Sequence, residues 1–379
     1  MAAEDLLIVA GEASGDLHAS RLLAELKGFV PELRPFGLGD EQLLAAGLDA
    51  VGRSGEISVV GITEALRVLP RARELFSRLL AEVDRRGATA AVLVDFPEFN
   101  LRLARELKER GVKVIYYISP QVWAWRRGRV KTVAEVVDKM LVVFPFEVDF
   151  YRRHGVDVVH VGHPLVDEVP QLPHIWDRGV PVDRPYQVAL LPGSRLSEIE
   201  ALLPNLVEAG RQLAEELPVY FRLVQAPTVP REVLEEEVAL SGLPMRVVAE
   251  DRFDLLAESH LALTASGTAT LELGLLGTPM IVLYRLAGWT YVLARVLVRL
   301  PYFSLVNLVL EREVVPELLQ GQARPERIRH LAAALLRDPE RTAEMRRGLG
   351  ELRSRLGEGG ASRRAAWEVA IQLGSEVPA

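Results

Sequence analysis

Short apolar runs recur along the chain, and each gives way to a loop of small or polar residues and then to a stretch with helical spacing. In the first half the runs are Leu6–Ala10, Ala90–Val94, Val112–Ile118, Lys139–Val143 and Val158–Val161. In the second half they are Gln187–Leu191, Tyr220–Val224, Met245–Ala249, Leu261–Ala265 and Pro279–Tyr284. Runs of this length, bounded by turn residues, predict buried strands. Between them, Leu17–Lys27, Ile57–Leu69 and Arg71–Val83 carry helical spacing; Phe76, Leu79, Leu80 and Val83 fall on one face. Five prolines lie between Pro164 and Pro185, where neither period holds. That predicts a linker over 169–185 between domains at 1–168 and 186–344. Pro325 opens a final set of polar helices, and no repeat or low-complexity tract interrupts the series.

Composition narrows the class. A chain of 379 residues with 49% hydrophobic content fits two domains with full cores. A net charge of −7 argues against a general nucleic-acid binder, which needs clustered positive charge. There is no cysteine, hence no disulfide and no thiolate metal site. The chain starts almost at once on a strand-like LLIVA without a basic leader, and no run of about 18 uncharged apolar residues occurs. The expectation is a cytoplasmic protein, at most peripheral to a membrane. Trp289–Phe303 and Ile57–Leu69 are its most apolar surface candidates; both also suit ordinary packed helices.

The candidate chemistry sits where the strands end. Leu261–Ala265 runs into Ser266, Gly267 and Thr268 just before a helix. Free N–H groups and the positive helix end make an anion site there, and glycine allows close approach. Glu272 lies one turn after Thr268 on the same face, placed to accept from sugar hydroxyls, or simply solvated. Gly193, Ser194 and Arg195 form a second such loop, in which the guanidinium clamps a diphosphate or pairs with Glu198. After the first strand come Glu12, Asp16 and His18; Asp16 also suits a helix N-cap. The run Ala90–Val94 ends at Asp95, three residues before Glu98, a pair suited to general-base work or to capping the next helix. Trp123, Trp125, Arg126, Arg127 and Arg129 crowd seven positions, suiting a phosphate or anionic lipid surface or a packed tryptophan pair. His163 follows another strand end. The dinucleotide fingerprint and D-x-D are both absent, so a nucleotide-sugar enzyme of this kind would neutralise its diphosphate with arginine and helix dipoles, with no metal.

Several strings together resemble the lipid-A-disaccharide synthase family. They are AGEASGD at Ala10–Asp16, VVGITEAL at Val59–Leu66, VDFPEFN at Val94–Asn100, SPQVWAWRRGR at Ser119–Arg129 and FPFE at Phe144–Glu147. GHPLVD at Gly162–Asp167, LPGSR at Leu191–Arg195, SGTATLE at Ser266–Glu272, YRL at Tyr284–Leu286 and EREVVPELLQ at Glu311–Gln320 continue the match, in order, nearly end to end. The resemblance implies an α/β protein of GT-B architecture, two Rossmann-like doubly wound domains facing across a cleft, with a C-terminal helix (about 345–379) returning to the first domain. It implies an inverting hexosyltransferase that condenses UDP-2,3-diacylglucosamine with 2,3-diacylglucosamine 1-phosphate, at the cytoplasmic face of the inner membrane. Asp95 falls on the catalytic base and Arg195 on the residue that stabilises departing UDP. Gly193, Ser194, Ser266, Gly267 and Thr268 fall on the diphosphate side, Glu272 on the ribose, and Asn307 and Gln320 on other donor positions. Glu12, Ser14, Asp16, Trp123 and Arg126 fall on the acceptor side. No cofactor and no metal are implied; a homodimer is compatible.

The departures are Val306 and Glu311, where the family has proline and glycine. They leave open a related enzyme on another UDP-sugar or lipid acceptor. A UDP-N-acetylglucosamine 2-epimerase shares the fold expected here, and a nucleotide-sugar sensor without turnover is a third class. Apolar surface segments favour the lipid acceptor, and Asp95 with Arg195 favours turnover.

Overall fold

The computed structural model describes residues 4–56, 62–124, 127–173, 175, 185–249, 252–285 and 300–375. The chain forms two compact units. One comprises Met1–Pro164 with Gly357–Ala379, the other Leu165–Leu356.

The first unit alternates strand and helix throughout: β1 (Glu4–Ala10), α1 (Ala13–Phe29), β2 (Leu33–Leu38), α2 (Glu41–Ala45), β3 (Asp49–Gly52), α3 (Ile62–Arg86), β4 (Ala90–Val94) and α4 (Pro97–Glu109). Then come β5 (Lys113–Tyr117), α5 (Val130–Val136), β6 (Lys139–Val142), α6 (Pro145–Arg152) and β7 (Val158–His160). All neighbouring strands are parallel, in the order β3-β2-β1-β4-β5-β6-β7. Parallel strands need crossovers on both faces, so the central ones are apolar throughout; every residue of β4 is buried. The helices supply matching stripes. Leu75, Leu79, Leu80 and Val83 of α3 are buried against Leu7, Leu93 and Leu103 in one core.

The second unit holds α7 (Leu165–Glu168), β8 (Tyr186–Leu191), α8 (Leu196–Ala214), β9 (Val219–Val224), α9 (Arg231–Ser241), β10 (Met245–Val248), α10 (Arg252–Ala257), β11 (Leu261–Ala265), α11 (Thr268–Leu276) and β12 (Met280–Tyr284). It closes with α12 (Leu305–Leu310), β13 (Glu317–Leu319), α13 (Pro325–Arg337), α14 (Pro339–Gly350) and α15 (Leu352–Leu356). Its sheet is again all parallel, in the order β10-β9-β8-β11-β12-β13. The last helix, α16 (Ala361–Gln372), belongs to the first unit and packs on α1. Trp367 meets Phe29 edge to face at 5.6 Å, and Lys113 Nζ donates to the Gln372 carbonyl at 2.7 Å.

Each sheet reverses its winding once, between β1 and β4 in the first unit and between β8 and β11 in the second. Crossovers diverge to opposite faces at such a point and leave a crevice at the carboxyl ends of the two strands, where open α/β sheets bind ligands. The fold class expected from the sequence is thus present: two doubly wound, Rossmann-like units.

The structure adds detail to the sequence reading. The two segments with helical spacing on either side of Pro70 belong to a single helix, α3, which runs through the proline. Strands β2, β3 and β13 were not anticipated. Of the apolar surface candidates, 57–61 and 286–299 lie outside the described residues, as does 176–184 of the expected linker. Among the described residues no helix is long and apolar enough to cross a membrane.

Candidate active site

In the first unit, β1 and β4 deliver their loops side by side at the reversal. A Cβ on Gly11 would sit 2.1 Å from the Phe96 ring, so only glycine lets the β1–α1 loop lie this close to the β4–α4 loop. Glu12 is the exposed N-cap residue of α1, without a side-chain cap bond, and Ser14 is exposed beside it. Asp95 follows β4, tied by its N–H to the Tyr117 carbonyl at 3.0 Å. Asp95 and Phe96 both take left-handed backbone, at φ 46° and 49°. Burial, and secondarily the Glu12 carboxylate, push the Asp95 carboxyl up to about 6. A carboxylate tuned to that range is still ionised at neutral pH and is a stronger proton acceptor than an ordinary one.

The other residues singled out in this unit have different partners. Glu98 does not pair with Asp95. It lies in the first turn of α4 and accepts from Arg129 at 2.7 and 3.0 Å. Asp16 is buried, and its carboxylate accepts from the N–H groups of Asp40 (2.7 Å) and Gln42 (2.9 Å), capping α2 rather than its own helix. Trp123 is buried against Phe144 and Phe146, with ring centroids 6.5 and 4.8 Å away. Its indole N–H donates to Glu147 Oε1 at 2.9 Å. Ser119 Oγ donates to the same oxygen at 2.5 Å and the Phe144 N–H to Oε2 at 3.0 Å, so Glu147 is the hub that fixes the Ser119–Trp123 loop. Burial pushes Glu147 up to about 7. Burial also lowers His163 to about 3, helped by nearby His18 and His160, and so keeps it neutral. Arg126 lies outside the described residues.

In the second unit, β8 and β11 end in the two glycine-bearing loops singled out in the sequence. Gly193 has φ 129°, and a Cβ there would meet Glu198 Oε2 at 2.5 Å. The Ser194 N–H donates to Glu198 Oε2 and Arg195 Nη1 to Oε1, each at 2.9 Å. A carboxylate of the protein therefore occupies two donors at the positive end of α8. Arg195 is otherwise exposed. On β11, Gly267 caps α11 and exposed Thr268 starts it, while Ser266 Oγ donates to the Phe303 carbonyl at 2.9 Å. Glu272 is largely buried and ion-paired with Arg252, a partner that sequence spacing does not reveal. Burial raises its carboxyl and Arg252 opposes the rise. Gln320 follows β13 at the same end of the sheet, with φ 50°.

Asn307 is placed otherwise. It is fully buried, its Nδ2 donates to the Val315 carbonyl (2.9 Å) and Glu317 (2.8 Å), and its Oδ1 accepts from the N–H groups of Val314 (2.8 Å) and Val315 (3.1 Å). All four bonding positions of the amide are thus taken within the fold.

Two doubly wound parallel sheets, each with polar glycine-bearing loops at its reversal, define a protein of the GT-B class, an architecture of enzymes that handle nucleotide-linked sugars. Solved structures agree on the fold. UDP-GlcNAc 2-epimerase from Methanocaldococcus jannaschii superposes with a TM-score of 0.57 at 14% identity, covering 98% of this chain and 100% of that one. MurG from Acinetobacter baumannii gives 0.58 at 14%, covering 98% and 99%. The chain belongs to the lipid-A-disaccharide synthetase family, whose model matches residues 6–369. It is 44% identical over 369 residues to the lipid-A-disaccharide synthase of Myxococcus xanthus, covering 96% of each chain.

Proposed function

We propose that the chain is an inverting glycosyltransferase that condenses UDP-2,3-diacylglucosamine with 2,3-diacylglucosamine 1-phosphate, giving lipid A disaccharide 1-phosphate and UDP. Family membership over nearly the whole chain supports the reaction. The placement of Asp95 carries the mechanism. In the proposed step Asp95 takes the proton from the acceptor hydroxyl as its oxygen attacks the anomeric carbon. The bond from that carbon to the diphosphate breaks on the opposite side, and UDP leaves with the electron pair. Inversion at the carbon follows from one in-line displacement. The leaving diphosphate is received by Arg195, the Ser194 N–H and the start of α8, and by the Ser266–Thr268 turn at the start of α11. Glu198 has to release Arg195 and Ser194 for this, a rearrangement of one side chain. Glu272, held by Arg252, is the proposed ribose contact.

Transfer proceeds without a metal in this proposal, since the cationic groups named above supply the charge that Mg²⁺ provides elsewhere. The work is done at the cytoplasmic face of the inner membrane, where acylated substrates reside, with the apolar segments Ile57–Leu69 and Trp289–Phe303 as the contact. The test is a mass-spectrometric transfer assay with both acylated substrates in mild detergent and EDTA. A disaccharide 1-phosphate is expected. Asp95→Asn is expected to lower the rate by about 10²–10⁴-fold, the range of a general base, while UDP still binds. UDP binding by the wild type with no disaccharide formed would reject the proposed substrates. Activity recovered only on adding Mg²⁺ would reject the metal-free step.

A further inference from the structure

The backbone at Asp95 needs external support. Left-handed backbone is unfavourable for an L-residue, and a bulky side chain such as Phe96 seldom adopts it. Here two such residues follow one another, and Ile118, at the end of the neighbouring strand, is a third at φ 61°. Strain persists only where the surroundings overdetermine it, and it gathers at functional sites.

The surroundings at Asp95 are specific. The Asp95 carbonyl points into the protein, where Tyr116 Oη donates to it at 2.5 Å and Asn100 Nδ2 at 2.8 Å. Asn100 Nδ2 also reaches the Val94 carbonyl at 3.2 Å. Both side chains are fully buried. Asn100 sits in the first turns of α4 and Tyr116 on β5, so two different elements grip one peptide group. The Asn100 Oδ1 is buried with no hydrogen-bond partner among the described residues. An orphaned acceptor of that kind carries a desolvation cost that an apolar residue would avoid. Stability alone therefore does not account for an asparagine here; the two carbonyls it serves do.

We propose that Asn100 and Tyr116 are positioning residues for transfer: together they clamp the Asp95–Phe96 peptide and so fix the direction in which the Asp95 carboxylate points. The inference rests on Asp95 as the base. Without the clamp the 95–96 peptide relaxes toward unstrained backbone and the carboxylate swings away from the acceptor hydroxyl. A displacement of about 1 Å costs on the order of 10²-fold in rate.

The experiment compares Tyr116→Phe, Asn100→Ala, the double variant and Asp95→Asn in the transfer assay. Tyr116→Phe removes only a hydroxyl, so it decides the question even if Asn100→Ala does not fold. The clamp predicts a fall in kcat of about tenfold or more for Tyr116→Phe, with KM for the donor within about twofold, the signature of an interaction used in the transition state. It also predicts that the acidic limb of the kcat profile moves toward lower pH as Asp95 gains access to water. Among the described residues Glu12 on the β1–α1 loop is the charged group acting on Asp95, and it is unchanged in every variant; burial and then the Asp95 charge raise Tyr116 on β5. A merely structural role would lower the melting temperature and leave that limb in place. Wild-type kcat and an unmoved limb in Tyr116→Phe, with Asp95→Asn inactive, would overturn the clamp alone. A fully active Asp95→Asn would instead remove the base on which it rests.

Discussion

A carboxyl held near 6 in the folded chain is a liability to the fold as well as an asset to chemistry. Asp95 rises from 3.8 to about 6, so the folded state binds its proton more tightly than the unfolded chain does. Stability must then fall as pH rises between those two values, and the full penalty persists above about 6. Asp95→Asn removes it. At about 1.4 kcal/mol per unit the gain is of order 2 kcal/mol, since the group is partly open to solvent. Asp95→Asn is therefore expected to melt a few degrees higher than the wild type at pH 7.5, and the gap is expected to close toward pH 4. Melting curves at the two pH values check both parts, and a lower melting temperature at pH 7.5 would contradict the shift. Residue by residue, the sequence was legible where a role depends on position along the chain and opaque where it depends on a distant partner. Asp95 stands directly after β4, and Arg195 closes the glycine-bearing loop before α8; those positions singled them out. Asp16 caps a helix that begins 25 residues later, and Asn307 braces Val314 and Glu317 across a turn; no spacing rule predicts either. Glu147 drew notice only within the FPFE string, because its donors Ser119 and Trp123 lie over 20 residues upstream.

At the scale of elements, the strands best read from the sequence are those buried on both faces. Ala90–Val94 and Leu261–Ala265 match their runs end for end, because a central parallel strand has no polar position to blur it. Strand β2, LRPFGL, carries Pro35 and Gly37, which read as turn residues; β3 and β13 are short and lie at sheet edges. Helix α3 was legible on both sides of Pro70, because its apolar stripe continues past the proline. The departure at Glu311 has a structural meaning. It terminates α12 in left-handed backbone at φ 56°, the position where a helix ordinarily ends on glycine. The side chain is exposed and makes no hydrogen bond or ion pair among the described residues to offset the conformational cost. Glu311→Gly is expected to stabilise the second unit by about 1 kcal/mol, with unchanged donor affinity. Denaturant unfolding together with UDP titration tests this; a lower midpoint would show that Glu311 makes a contact worth more than its strain.

The whole molecule is divided by the chain in an unusual order. The first unit consists of Met1–Pro164 and Gly357–Ala379, with the entire second unit between them. Removal of 357–379 strips α16 from α1, exposing Phe29 and freeing Lys113 from Gln372. Truncation after Leu356 is expected to abolish the cooperative melting of the first unit and leave that of the second. Calorimetry checks this, and an intact first transition would show that α16 is dispensable. The same interruption matters while the protein is being made. When the ribosome has finished β7, the first sheet is complete but the helix that covers α1 does not yet exist. Roughly 190 residues of the second unit must be translated before it emerges. At about 5–20 residues per second that is a wait of roughly 10–40 s with an apolar helix face uncovered. During that interval the nascent chain is at its most aggregation-prone, and a chaperone that shields α1 would be needed before any substrate is.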